Sequence, residues 1–498
     1  MEAVQLTLPG DLFDGAPPAM AGFVSSDQAA CAEMAPEWRR QQGVTLTPEW
    51  LVEKMLDRVA AAGPFDTLVD AGAGTGRFAI AAARRFPAAR VVCVERNEVM
   101  LVLLRQALLA AGVTDRVQVV AGDFRDAAWP RAGRTAFIGN PPYVRHHDIE
   151  PVWKRWYGAL LGGLGVQASQ LAGLHLHFLA RVAEACAPGD YVCFVTSAEW
   201  LDNGYGQPWR QLLSRPEGPM SLRGLWVGDP AEPVFTDALV SAVVFEATCG
   251  PVASTSAVEL GSISGRALTT HWRMESAALL QSRRWSAECH ATPVIAGSGV
   301  EIGELFRVTR GQVTGLNAAW LLPAGSDLLP ACRLKPAVTK AREIIDGTIE
   351  APDALRRLRY LPDLPVDLSA LPADERTQVD AFLRLAHERG AADGYVATQR
   401  RAWHALDLRP PPPVIVSYMG RRPPVFRTNP HGATYLNIAH GLYPRQPMPG
   451  VTFKRLLEHL NTHTDMRAGR MYGGGMAKFE PSDVARLRVP ADLMERLS

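Results

Sequence analysis

Thr67-Leu-Val-Asp70-Ala-Gly72-Ala-Gly74-Thr-Gly76 runs from an apolar strand, Thr67–Val69, into a glycine-rich turn, and the helical stretch Phe78–Arg85 follows. Glycines let the backbone turn sharply and approach a ligand closely, and the N-terminus of the next helix favours a negative group. No Gly-Lys-Ser/Thr follows, so the turn is not a phosphate-binding P-loop. Its third glycine stands one place early for a dinucleotide GxGxxG. Outward from this turn the pattern repeats. Arg90–Val94 reads as the next strand, Glu98–Ala111 as a helix, and Val117–Val120 and Thr135–Ile138 as strands. His175–Ala187 reads as a helix, and Tyr191–Thr196 and Leu239–Phe245 as buried strands. Strands alternating with helices predict a parallel, doubly wound α/β sheet.

The regularity sets the expected division of the chain. Residues 1–40 are small, polar and turn-rich and read as a flexible lead-in, 41–250 as the α/β domain, and 251–300 as a connector. Residues 301–498 hold short β-like runs (Leu305–Val308, Val414–Tyr418, Ala433–Ile438), many Pro and Gly, and helical stretches at Asp374–Arg389 and Phe453–Thr462. They read as a second domain of α+β type. Pro410–Pro413 reads as a stiff spacer.

A length of 498 residues fits two or three domains, and 47% hydrophobic with 21% charged residues fits a globular chain with a sizeable core. No apolar run of about 18 residues is present, so no transmembrane helix is expected. The first residues lack a signal peptide's basic start and apolar stretch. Seven scattered cysteines (31, 93, 186, 193, 249, 289, 332), with no CxxC pair, argue against a disulfide framework or zinc ribbon and fit a reducing cytoplasm. The net charge of +1 hides an asymmetry. Residues 1–300 carry 25 basic against 30 acidic side chains, −5, whereas residues 301–498 carry 27 against 21, +6. Cations gathered at one end fit a polyanion, although charge alone equally fits a solvated face.

Three acids punctuate the strand ends. Glu95 lies 25 residues after Asp70, where a carboxylate can accept both ribose hydroxyls of a nucleoside cofactor. Asp123, in Ala121-Gly-Asp-Phe124, ends the third strand and is placed for an adenine amino group. All three face one carboxyl edge of the sheet, where such folds bind ligands. Asn140-Pro141-Pro142-Tyr143 then follows strand Thr135–Ile138. The Pro-Pro pair fixes φ twice and removes two donors, giving a rigid corner that can present an amide oxygen and a carbonyl to a planar amine, with an aromatic face beside them.

This set resembles the N6-adenine DNA methyltransferases that use S-adenosylmethionine and carry an NPPY motif, and more narrowly the gamma-class, TaqI-like arrangement. Further segments match. They are Gly43-Val-Thr-Leu-Thr47-Pro48, Pro188–Leu201, Pro233-Val-Phe235 with Val240–Val244, Val308–Gly315 and Gly469–Asp483. The resemblance implies a Rossmann-like doubly wound sheet (class I methyltransferase) with a C-terminal α+β target recognition domain. It implies catalysis by Asn140, Pro141, Pro142 and Tyr143. It places Thr47, Pro48, Asp70, Ala71, Gly72, Gly74, Glu95, Asp123, Phe124 and Asn140 at the cofactor. Tyr143 and Phe235 would hold a flipped base between them. Arg145, Arg470, Tyr472 and Lys478 would meet DNA, with Arg421-Arg422 either touching phosphates or forming a solvated turn. His146-His147-Asp148 reads as a loop at the DNA face rather than a metal site, and no metal is expected.

In such an enzyme the Asn140 oxygen and the Pro141 carbonyl each accept one amino hydrogen, and alignment for in-line methyl transfer does most of the rest. The target base must leave the duplex. The expected partners are double-stranded DNA and a separate cognate restriction endonuclease, with no membrane. A monomer is expected and a dimer left open. Residues 1–250 alone are expected to bind the cofactor. Competing readings are N4 of cytosine as acceptor, where Ser often replaces Asn140, and protein-glutamine methylation, which also uses NPPY. A bifunctional nuclease finds no Pro-Asp…Glu-x-Lys signature, and a non-catalytic DNA-binding module leaves the intact catalytic motifs without a purpose.

Overall fold

A computed structural model of the chain describes residues 27, 30, 31, 34–215, 217–229, 232–235, 241–251, 257–282, 284–290, 299–472, 475–491 and 493. The chain divides into two compact units between Ala291 and Thr292. The first is built on a nine-stranded sheet of order β3-β2-β1-β4-β5-β7-β6-β8-β9. Its strands are β1 Thr67–Ala71, β2 Arg90–Glu95, β3 Val117–Ala121, β4 Thr135–Gly139, β5 Tyr191–Ser197, β6 Met220–Gly228, β7 Ala242–Cys249, β8 Ala257–Ser264 and β9 Ala267–Glu275. β1 to β5 pair in parallel, and β7 runs antiparallel to both β5 and β6. Every residue of β1, β4 and β5 is buried, as expected of strands covered by helices on both faces.

The main helices of this unit are α1 Glu49–Ala62, α2 Arg77–Arg85, α3 Glu98–Ala110, α4 Pro151–Gly163, α5 Leu174–Ala185 and α6 Gln207–Ser214. In α1, Leu51, Val52, Met55, Leu56 and Val59 form one apolar stripe against the sheet. Asn97 caps α3, its Oδ1 accepting from the Val99 and Met100 amides at 3.0 and 3.2 Å. The strand order reverses between β1 and β4, which sets the ligand crevice at their carboxyl ends.

Three expectations are corrected here. Residues 257–275 are not part of a connector but a hairpin of the main sheet, with β8 parallel to β6 and β9 antiparallel to β8. The small polar residues obscured this, because Val258, Leu260 and Ile263 are the only buried aliphatics of β8 and β9 is a half-exposed edge. Nor is the whole lead-in loose: Asp27 and Cys31 are buried, and Pro36–Gln42 is helical. The strand expected at Leu239–Phe245 is Ala242–Cys249, and residues 236–240 lie outside the described part.

Arg58 of α1 adds a polar tie between the hairpin and the rest of the sheet. Its Nη2 meets Glu246 of β7 at 2.6 Å and Glu259 of β8 at 2.9 Å. A chain ended at residue 250 would lose Glu259 and the three buried aliphatics of β8, about 5–9 kcal/mol of burial, comparable to a domain's whole stability. We therefore expect residues 1–250 to lack a cooperative melt and residues 1–291 to show one, read by circular dichroism on both fragments.

The second unit carries an antiparallel sheet of order β11-β18-β14-β16, formed by β11 Phe306–Arg310, β18 Ala439–Pro444, β14 Val414–Ser417 and β16 Phe426–Thr428. Three smaller sheets surround it. β13 Arg359–Pro362, β12 Leu334–Val338 and β17 Thr434–Tyr435 form one. β15 Met419–Gly420, β20 Met476–Lys478 and β19 Arg470–Tyr472 form another. The pair β10 Val300–Glu301 and β21 Arg488–Val489 makes the third. Helix α7, Ala373–Glu388, packs Val379, Phe382 and Leu383 with Trp320 and Leu361. Helix α8, Gly450–His463, packs Leu456, Leu457 and Leu460 with Phe306, Val416 and Leu442. No helix among the described residues is long and apolar enough to cross a membrane.

Candidate active site

The carboxyl ends of β1 to β4 open onto a cleft. Gly72, Gly74, Glu95, Asp123, Phe124, Asn140 and Pro142 line it, with Thr47 from the loop before α1 and Leu174 and Phe178 from α5. Gly72 has φ +74°, and a Cβ there would stand 3.3 Å from the Phe178 ring, so the backbone itself forms the wall. Glu95 is buried and takes the Gly74 amide at 2.9 Å on Oε2 and the Asn97 amide at 2.7 Å on Oε1. Burial pushes its carboxyl above the ordinary range, against these backbone donors.

Asp70 lies beneath the cleft rather than in it. It is 1% exposed, and its Oδ2 accepts from the Ala79 amide at 3.1 Å, so it ties β1 to the first turn of α2. Ala71 is likewise core, and Pro48 precedes α1 beside a second cavity. Burial, with Glu95 nearby, pushes the Asp70 carboxyl from 3.8 up to about 8. An acid raised this way contributes stability that is present below about pH 4 and lost as pH rises toward 8. The thermal midpoint of Asp70→Asn, relative to the unmodified protein, should therefore improve from pH 5 to pH 8. A difference independent of pH would refute that environment.

Asp123 stands in the cleft wall, but its carboxylate is already engaged. Arg125 meets Oδ1 with Nε at 2.9 Å and Oδ2 with Nη2 at 2.6 Å, and Arg96 reaches Oδ2 at 3.2 Å. Burial opposes ionisation, yet the two arginines hold this carboxyl below its ordinary value. Phe124 is stacked between Trp129 and Phe178, with ring centroids 5.1 and 5.0 Å away.

At the end of β4, Asn140 is pinned through its nitrogen. Nδ2 donates to the Thr45 carbonyl at 3.2 Å and to Thr47 Oγ1 at 3.1 Å. A carbonyl can only accept, so the amide orientation is determined and Oδ1 is turned away from that loop. That oxygen is buried and has no partner among the described residues. Gly43 completes the corner: with φ +67°, a Cβ there would lie 2.7 Å from the Tyr143 amide nitrogen and 2.9 Å from Pro142 Cβ. Its close approach was not read from sequence, although its place just before the Thr47-Pro48 pair was. Asp27, Thr45, Arg77 and His175 were also missed. His175, buried behind the corner, meets the Tyr143 ring edge to face at 6.4 Å, and burial pushes it down to about 4, so it is neutral at physiological pH.

Tyr143 and Phe235 are neighbours, but no slot stands open between them. Phe235 is 2% exposed in the core beside Trp226, and the two centroids are 6.0 Å apart at 69°. Holding a base between two faces needs parallel rings about 7 Å apart, so one ring must turn or shift first. Arg145 is exposed just before a short 3₁₀ turn, His146–Asp148. Among the described residues no three His, Cys, Asp or Glu side chains are grouped to hold a metal ion.

In the second unit, Lys478 pairs with Glu480 at 2.8 Å and lies 5.3 Å over the Tyr418 ring. Glu480 also receives Arg310, and Arg470 faces buried Asp483 at 3.7 Å. Lys478 and Arg470 are thus paired within their own unit, and the side chains of Arg421 and Arg422 are exposed beside β15. Only the backbone of Tyr472 is described.

Comparison with known proteins covers both units. Residues 295–497 match the family of the C-terminal domain of type II methyltransferase M.Eco57I, 133–217 the Eco57I restriction-modification methylases, and 68–163 a methyltransferase domain family. The type II methyltransferase M.XamI of Xanthomonas campestris pv. amaranthicola is 41% identical over 455 residues, 90% of this chain and 85% of that protein. M.AccI of Acinetobacter calcoaceticus is 22% identical over 74% of this chain and 71% of its own length. Among solved structures, the type IIL restriction-modification enzyme MmeI in complex with DNA matches with a TM-score of 0.56 at 12% identity, over 95% of this chain and 66% of that one.

Proposed function

The chain belongs to the type II methyltransferases of restriction–modification systems, built on the class I methyltransferase fold and using S-adenosylmethionine, and we propose that its acceptor is the N6 amine of an adenine flipped out of duplex DNA. The observation that carries this reading is the buried, unpartnered Asn140 Oδ1 at the cleft, with its amide nitrogen pinned behind it. An exocyclic amine conjugated to its ring is a poor nucleophile. A fixed acceptor on one amino hydrogen, with the Pro141 carbonyl on the other, draws the nitrogen toward tetrahedral geometry and frees its lone pair. These groups need not reorganise during the step, because Pro141-Pro142 and Gly43 hold the corner rigid. When bound, the cofactor supplies a methyl already activated on a sulfonium. The cleft fits it: Glu95 would take the ribose hydroxyls, and the backbone at Gly72 leaves room beside Phe178. Asp123, clamped by two arginines, would offer at most its remaining lone pairs to the adenine amine.

DNA as the substrate is supported by the family and by the +6 balance of residues 301–498. Adenine rather than cytosine is supported by Asn at position 140. Mass spectrometry of nucleosides from DNA methylated by the full-length protein should show N6-methyladenine. N4-methylcytosine would replace the acceptor and keep the mechanism, and unmodified DNA beside a methylated glutamine peptide would overturn both.

A further inference from the structure

We infer that Asp27 is a positioning residue for methyl transfer, acting on Asn140 through Arg77 and Thr47. Arg77 opens α2, where the helix N-terminus disfavours a cation, and its side chain is only 13% exposed. Asp27, itself 5% exposed, neutralises it: Nε and Nη2 of Arg77 each meet one Asp27 oxygen at 2.8 Å. Thr75 Oγ1 donates to the same carboxylate at 2.9 Å. The remaining end of the guanidinium, Nη1, donates to the Thr47 carbonyl at 2.8 Å. Thr47 is therefore fixed by its carbonyl on one side while its hydroxyl holds the Asn140 amide on the other.

This linkage matters because the terminal torsion of an asparagine is soft and roughly two-fold. Among the described residues, Thr45 O and Thr47 Oγ1 are the groups that fix the Asn140 amide, with its oxygen turned away from their loop. A rotated amide would aim N–H groups at an amine that also donates. Without Asp27, Arg77 is a largely buried cation that has lost its paired carboxylate and keeps only the longer-range charge of Glu49, so it must move or draw in water, releasing Thr47. Asp27 thus acts on the acceptor corner through Arg77 and Thr47, although it does not itself line the cofactor cleft.

The inference rests on the reading of Asn140 as the acceptor of the amine. It is tested by single-turnover methyl transfer with the full-length protein, at saturating DNA and cofactor, with rates counted per active site from burst amplitudes. Asp27→Asn and Thr47→Val should each slow transfer about ten-fold, with cofactor Kd moved less than about three-fold. Because both act on one linkage, the double variant should be no slower than the slower single, and Thr47→Ser should restore most of the rate. Arg77→Lys, which keeps the charge and loses the fork, should reproduce the slowing even if Asp27→Asn proves hard to fold. An Asp27→Asn enzyme at full rate per site, a loss confined to cofactor Kd, or effects that multiply in the double variant would overturn it. A fully active Asn140→Ala would instead remove the reading beneath it, whereas a dead Asn140→Ala beside a full-rate Asp27→Asn sinks the inference alone.

Discussion

Asn140→Ala should lose about 1,000-fold in the rate of methyl transfer, the scale of removing one fixed hydrogen-bonding group from a transition state. Cofactor affinity should stay within about three-fold. The split follows from where the side chain points. Its oxygen has no partner among the described residues, while Glu95, Asp123 and Phe124, which in the proposed reading hold the nucleoside, line the cleft from other strand ends. The small loss allowed in affinity reflects the loop at Thr45 and Thr47, which line the cleft and would lose their bonds to Nδ2. Methyl incorporation into DNA measures the first quantity and titration calorimetry the second. Equal losses in both would mean that Asn140 builds the cofactor site rather than acting on the amine. Asn140→Asp is a sharper probe: it keeps an acceptor but sets a carboxylate oxygen against the Thr45 carbonyl, so it too should fail.

Glu95→Ala and Glu95→Gln should both weaken S-adenosylmethionine binding about 100-fold or more, the loss of two hydrogen bonds to a charged acceptor. In the proposed reading the carboxylate serves two purposes: it would take the ribose hydroxyls, and it already gathers the Gly74 and Asn97 amides, which shape the wall of the cleft and the entry to α3. Glutamine cannot replace it, because its NH2 would face one of those donors. Both variants should still bind duplex DNA, because the surplus of cations lies in residues 301–498. Calorimetry with cofactor and fluorescence anisotropy with DNA separate the two. An unchanged cofactor Kd would remove Glu95 from the site.

Much of the first unit was legible because its signals are local. A continuous apolar run followed by Gly72-Ala-Gly74 means a buried strand entering a sharp turn wherever it occurs, and β1, β2, β3, β4 and β5 lie where those runs are. The elements misread had weak local signals. β8 and β9 carry Ser, Thr and Gly with few deeply buried aliphatics, so the hairpin 257–275 looked like a linker. In the second unit only Thr434–Tyr435 of the run 433–438 is a strand.

The sequence by itself determined the sheet of β1 to β5, the acids and the Asn-Pro-Pro-Tyr corner at its carboxyl edge, and the chemistry those residue types can do. Each of these depends on residues within a few positions of one another, and on a topology that strand–helix alternation dictates. The tertiary structure alone decided which of those groups are free to act. Asp123 is spoken for by Arg125 and Arg96, Phe235 is packed in the core, and Lys478 is paired with Glu480. Asn140 is turned by a loop nearly a hundred residues upstream, and Arg77 is neutralised by Asp27, 50 residues before it. A cation at the first position of α2 was the one clue to that last pair, since a helix N-terminus demands a counter-charge without saying where it comes from. Ion pairing, desolvation and amide orientation depend on distance through space. Chain spacing carries no record of that distance once the partners lie on different elements.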